Sequence, residues 1–216
     1  MLTVLELFAG SRSVGKAAEK LGLKTFSSDI NAFDGIDYVV DILEFDLNKI
    51  PFKVDILWAS PPCTSFSILQ IGRNWNHNNT PKTEDAVLGM KLVLKTIEII
   101  RILKPKYWFI ENPRGKLRKL DFMKPFQRVT VWYCQYGDRR AKPTDIWSNN
   151  IRSLYCPGGW KPRPECRNAN PNCNHDRSPR GDGSAGVQGQ ADNFERSQIP
   201  QELCLEVLKS CHPYRT

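Results

Sequence analysis

The chain has 216 residues, of which 40% are hydrophobic and 25% charged, ordinary values that exclude collagen, coiled coil and long disorder as the whole of it. Its net charge of +8 is uneven: residues 1–100 carry 10 basic and 12 acidic side chains, residues 101–216 carry 21 and 11. The second half therefore suits an anionic partner. No run reaches the roughly 20 apolar residues of a membrane span, and the first residues lack a basic stretch before an apolar one. A cytoplasmic protein without a membrane is expected.

Thr3–Phe8 is a short apolar, β-branched run that ends at Ala9-Gly10. From Val14 to Leu21 the apolar positions fall on one helical face, and Gly22 marks the stop. Lys24–Ser28 reads as a strand ending at Asp29, and Tyr38–Ile42 as another short one. Val54–Ala59 is an unbroken apolar run, typical of a strand buried on both faces. Glu84–Leu103 has long helical periodicity, and Tyr107–Ile110 is again a buried strand. Beyond Trp132 the pattern fades, and residues 155–190 are rich in Gly, Pro, Asn, Arg and Cys. Ile199–Leu208 regains helical periodicity, with Pro200 at the first helical position.

Strands alternating with helices predict an α/β fold with an open, mostly parallel sheet. The expected layout is a catalytic domain over 1–150, a small loop-rich insert over 151–192, and a helix over 193–216 that returns to the first domain.

A strand running into a glycine turn and then a helix brings backbone against a cofactor at the carboxyl edge of a sheet. Leu5-Glu6-Leu7-Phe8-Ala9-Gly10-Ser11 has that form. Asp29 ends the second strand, where such sheets place a carboxylate for ribose hydroxyls. Asp41 follows the next apolar stretch and is suited to an adenine amino group. In Trp58-Ala59-Ser60-Pro61-Pro62-Cys63-Thr64-Ser65-Phe66-Ser67 a buried strand ends at two prolines that present one thiol. Tyr107-Trp108-Phe109-Ile110-Glu111-Asn112-Pro113 delivers a carboxyl group in the same way. A thiolate needs an electrophile, and a partly buried Glu creates one by protonating or hydrogen-bonding a ring nitrogen.

These residues resemble the DNA cytosine-C5 methyltransferases, and in particular their compact, phage-type members. The resemblance rests on Phe8-Ala9-Gly10, on Pro62, Cys63, Phe66 and Ser67, and on Glu111-Asn112, in the family's order from residue 4 to about 150. Arg196-Ser197-Gln198-Ile199-Pro200 looks more loosely like its closing motif.

The resemblance implies transfer of a methyl group from S-adenosylmethionine to C5 of a flipped cytosine in double-stranded DNA. It assigns Cys63 to attack on C6 and Glu111 to N3 and the exocyclic amine. It places the cofactor against Phe8, Ala9, Gly10, Ser11, Asp29, Ile30, Asp41, Ile42, Ser60 and Pro61. Gln70–Lys82 would be the mobile loop that closes over the site. Arg140 is the choice for a guanidinium on the substrate, with Arg139 and Lys142 as rivals. The protein is expected to act as a monomer.

Two departures stand out: Ser11-Arg12-Ser13 replaces a more glycine-rich turn, and Pro113 follows Glu-Asn. Open alternatives are the same chemistry on tRNA, and a nucleic-acid-binding relative without activity. Cys156, Cys166, Cys173 and His175 form a candidate zinc cluster, three thiols and one imidazole that suit a tetrahedral staple for a short insert. Lys161, Arg163, Arg167, Arg177 and Arg180 surround it and suit phosphate.

Overall fold

The computed structural model describes residues 1–166 and 193–211. A seven-stranded sheet forms its centre, in the order β3-β2-β1-β4-β5-β7-β6. Its strands are β1 (Thr3–Leu7), β2 (Lys24–Asp29), β3 (Tyr38–Val39), β4 (Ile56–Ala59), β5 (Tyr107–Pro113), β6 (Arg128–Trp132) and β7 (Pro143–Ser148). The first five run parallel; β7 pairs antiparallel with both β5 and β6. The open, mostly parallel sheet expected from the alternating pattern is present.

The central strand β4 is apolar at every position because both of its faces are covered. Along β4, Ile56 and Trp58 join one cluster, while Leu57 and Ala59 join another on the opposite face. The first cluster is completed by α1 (Ser13–Lys20) and α5 (Gln201–Ser210), through Val14, Ala17, Ala18, Leu203, Val207 and Leu208. On the other side lies α3 (Glu84–Leu103), with Val93, Ile97 and Ile99 buried.

The bounds of α3 follow from its ends. Thr83 caps it, its hydroxyl accepting from Ala86 N at 3.2 Å, and Glu84 and Asp85 occupy the first turn. Lys104 closes it in the left-handed region, just before Pro105.

Four expectations change. β6 and β7 extend the sheet where the pattern had faded. Tyr38–Val39 is only two residues long, and the chain then turns at Ile42–Glu44 with the Asp41 carboxylate accepting from Leu43 N. Pro200 stands just before α5, extended at ψ 131°, so Gln201 is the first helical residue.

The segment 70–82 is also more ordered than a free loop. It holds a turn of helix, α2 (Ile71–Asn74), and Trp75 bridges to Pro81. Trp75 is buried, stacks on Phe66 at 5.8 Å between ring centroids, and donates to Ser65 O at 2.8 Å. Past β7 the chain returns over α5. Ile151 pairs with Trp160, and the buried Trp160 indole donates to Glu206 at 3.1 Å. The last described helix before α5 is α4 (Asn193–Ser197).

Candidate active site

β1 ends in a turn that ordinary residues avoid. Phe8, Gly10 and Arg12 all have positive φ, at 57°, 48° and 56°. Three side chains hold the turn there. The Asp29 carboxylate accepts from Gly10 N at 2.9 Å and from Asn31 N at 2.9 Å, joining the ends of β1 and β2. The Ser13 hydroxyl bonds to that of Ser11 and accepts from Ile199 N at 3.1 Å, drawing the C-terminal segment onto the turn.

The third is Glu6. α1 has no capping side chain of its own, and the buried Glu6 carboxylate of β1 accepts from Val14 N at 3.0 Å and Gly15 N at 2.7 Å. Burial pushes this carboxyl up to about 7, against the pull of those two amides and of Arg12. Gly15 leaves room for this bond, because a Cβ would stand 3.0 Å from Glu6 Oε2.

Arg12 turns away from the carboxyl edge. Its guanidinium pairs with Glu19 and reaches Thr25, in the amino half of β2. The altered Ser11-Arg12-Ser13 turn therefore sends its cation away from the edge where the cofactor is expected.

The residues fit S-adenosylmethionine at this edge. Ile30, 63% exposed, offers an apolar surface beside the Asp29 carboxylate. Asp41 stands at the neighbouring strand end, and its Oδ1 keeps a second lone pair beyond the bond from Leu43 N. Ser60 N donates to Leu7 O at 3.3 Å, and the Ser60 hydroxyl accepts from the Trp58 indole at 3.1 Å. A cavity of about 590 Å³ lies between the turn and the C-terminal segment, lined by Ser11, Ser13, Lys16, Asp138, Arg140 and Gln198 among others.

Cys63 and Glu111 are brought together by adjacent strands, β4 and β5, paired in register from Ile56–Tyr107 to Ala59–Ile110. Two links then tie the loops that follow. Asn112 Nδ2 donates to Pro61 O at 2.8 Å, and Lys116 N donates to Phe66 O at 2.8 Å. The second link needs Gly115, where a Cβ would lie 2.2 Å from Phe66 O. Burial pushes the Cys63 thiol up; the Lys142 charge pulls it down and the Glu111 charge pushes it up.

The three cations considered for substrate contact separate clearly. Arg139 is exposed. Arg140 is buried and forked onto Asp138, with Nε donating at 2.8 Å. It also donates to the main-chain carbonyls of Glu195 (3.2 Å) and Gln198 (3.1 Å). Arg140 thus ties the C-terminal segment to the sheet, and Lys142 is the cation whose charge reaches Cys63. Lys142 Nζ lies 4.9 Å from the centre of the Tyr133 ring.

Tyr133 carried no signal in the sequence. Its hydroxyl, fully buried, donates to Glu111 Oε1 at 2.9 Å. Of the zinc cluster, Cys156 is partly exposed and Cys166 buried. Cys173 and His175 lie outside the described residues, as do Arg167, Arg177 and Arg180. Among the described residues no three His, Cys, Asp or Glu side chains gather to hold a metal ion.

Residues 2–130 match the model of the C-5 cytosine-specific DNA methylases. A protein of Frog virus 3 (isolate Goorha), named "Probable DNA (cytosine-5)-methyltransferase", is 35% identical over 156 residues, 68% of this chain and 71% of the viral one. The "Type II methyltransferase M.HpaII" of Haemophilus parainfluenzae is 34% identical over 123 residues, 52% of this chain and 32% of that protein. The fold is similar to that of the Entamoeba histolytica methyltransferase EhMeth, with a TM-score of 0.50 and 16% identity, over 68% of this chain and 52% of that one. A Spodoptera frugiperda DNMT2 variant has a TM-score of 0.48 and 20% identity, over 76% and 54% of the two chains. The matched family region stops before Tyr133, Arg140 and Lys142. Among the described residues no helix is long and apolar enough to cross a membrane.

Proposed function

Because the chain belongs to the C-5 cytosine-specific DNA methylase family, we propose that Cys63 and Glu111 are its catalytic pair, acting on C5 of cytosine in double-stranded DNA with S-adenosylmethionine as methyl donor. The juxtaposition of these two residues at the ends of β4 and β5 carries the reading. The enzyme is a DNA (cytosine-5)-methyltransferase.

Cys63 Sγ forms a bond to C6 of a base turned out of the duplex, at an unstacking cost of a few kcal/mol. Glu111 gives or shares a proton at N3, so the electron pair displaced from the C5–C6 bond is not left as a bare anion. When bound, the cofactor supplies an electrophilic methyl group for C5. Transfer of the C5 proton to water and departure of Cys63 Sγ as thiolate, with N3 returning its proton to Glu111, then restore the ring.

The chain's own residues prepare these steps. Lys142 favours the thiolate form of a thiol that burial holds protonated. Asn112 keeps the Pro61-Pro62-Cys63 turn against β5. Phe8, Gly10, Asp29, Ile30, Asp41, Ile42 and Ser60 form the cofactor edge. Lys161 begins the basic stretch that meets phosphate, while the Arg163 charge is held by Glu202 and Glu206. The protein acts as a monomer.

The test is transfer of tritium from methyl-labelled S-adenosylmethionine into cytosine-containing duplex DNA, with tRNA as a parallel substrate. The expected result is label in DNA that vanishes in Cys63→Ser, and a covalent complex with 5-fluorocytosine DNA. Absence of both, or label in tRNA alone, overturns the proposal.

A further inference from the structure

One buried contact at the site has no part in the steps above. Tyr133 opens the turn between β6 and β7, and its backbone is stitched there: its N donates to Lys142 O at 3.1 Å and its O accepts from Asp138 N at 3.3 Å. Its ring lies under two cations, Lys142 Nζ at 4.9 Å and the Arg140 guanidinium at 5.7 Å. The side chain has no exposed surface, so its rotamer is set by packing. Its hydroxyl reaches Glu111 Oε1 at 2.9 Å. Burial and the Glu111 charge hold the phenol far above its ordinary titration range, so it remains a donor.

In water the two oxygens of a carboxyl group are interchangeable. A fixed donor on one of them ends that equivalence: a proton on Oε1 would oppose the phenolic hydrogen, so it resides on Oε2. We infer that Tyr133 is a positioning residue, which by donating to Glu111 Oε1 fixes the carboxyl plane and leaves Oε2 to carry the proton toward N3 of the base. The inference rests on the catalytic reading of Glu111. Tyr133 touches neither base nor cofactor in this role; it acts through Glu111.

Two variants test it. Tyr133→Phe removes one oxygen and preserves the ring; 3-fluorotyrosine at position 133 keeps the hydroxyl and makes it a stronger donor. Measured under single turnover with cytosine duplex DNA and labelled S-adenosylmethionine, Tyr133→Phe is expected to slow methyl transfer by about tenfold, one hydrogen bond to a charged group. KM for DNA and the affinity for S-adenosylhomocysteine stay unchanged. The pH–rate profile moves to higher pH in Tyr133→Phe and to lower pH in the fluorinated protein, which keeps its rate.

A purely structural tyrosine would not move the two profiles in opposite directions. A Tyr133→Phe protein with the wild-type rate and profile overturns the inference, as does a fluorinated protein that behaves like Tyr133→Phe. Should Tyr133→Phe fail to fold, the fluorinated protein decides alone. Wild-type protein that neither methylates DNA nor forms the 5-fluorocytosine complex removes the catalytic reading and this inference together; active wild type with an unresponsive Tyr133 removes only the inference.

Discussion

The side-chain amide of Asn112 donates to the main-chain carbonyl of Pro61 at 2.8 Å, so the strand end bearing Glu111 and the turn bearing Cys63 share one buried hydrogen bond. Asn112 has no exposed surface. Asn112→Ala leaves the Pro61 carbonyl without its donor, at a cost of about 1–3 kcal/mol. Trapping of 5-fluorocytosine DNA is expected to slow by about 10- to 100-fold.

Lys142 offsets part of what burial does to Cys63. A thiol raised by burial is mostly protonated near neutrality, so the trapping rate should climb with pH through the alkaline range. Lys142→Met removes the attractive charge and raises the thiol further. The variant is expected to be about tenfold slower at pH 7.5 and to recover as pH rises. An unchanged pH dependence would assign Lys142 to packing instead.

Glu6 links stability to pH. Its carboxyl lies at about 7 in the folded protein against an ordinary 4.5. Between those values the unfolded chain loses its proton while the folded protein keeps it. The stabilisation is complete below about pH 4.5 and is lost as pH rises through about 7, on the order of 3 kcal/mol in all. Urea midpoints measured from pH 5 to 8 should therefore fall in the wild type and stay flatter in Glu6→Gln, which still offers an oxygen to Val14 and Gly15.

Asp138 and Arg140 form a pair that is 12% and 5% exposed. Removing the anion leaves a guanidinium buried, at about 3–5 kcal/mol. Asp138→Ala is expected to lower Tm by on the order of 10 °C. It should also weaken S-adenosylhomocysteine binding, because Arg140 holds the carbonyls of Glu195 and Gln198. A melting curve within 2 °C of wild type would show the pair to be dispensable.

Legibility in the sequence followed the strength of local signals. The run ending at Ala59 announces a doubly covered strand because every side chain is apolar, and Thr83 followed by Glu84-Asp85 marks a helix start. Cys63 and Glu111 were visible because each follows such a strand. β6 and β7 were not, since Arg128, Thr130, Thr144 and Asp145 interrupt the apolar pattern. Three of those polar groups satisfy one another: the fully buried Asp145 pairs with Arg128, and with Arg118 from the preceding segment, and accepts from Thr130 at 2.8 Å. Choosing among Arg139, Arg140 and Lys142 also needed coordinates. Three cations within four residues look alike until one is seen on an aspartate and another beside a thiol. Trp75 and Tyr133 serve the site through contacts with residues 10 and 22 positions away, which no local pattern encodes.

Arg163 fixes where the polypeptide leaves the described body. Its N donates to the Tyr136 hydroxyl at 2.9 Å, and its guanidinium holds Gln135 O, Glu202 and Glu206. Re-entry is fixed as firmly, by the Phe33–Phe194 ring contact and the Ile199–Ser13 bond. Both fastenings use side chains other than Cys63, Glu111 and Asn112. The chain thus enters and leaves the segment between Cys166 and Asn193 through fastenings that are separate from the pair Cys63 and Glu111.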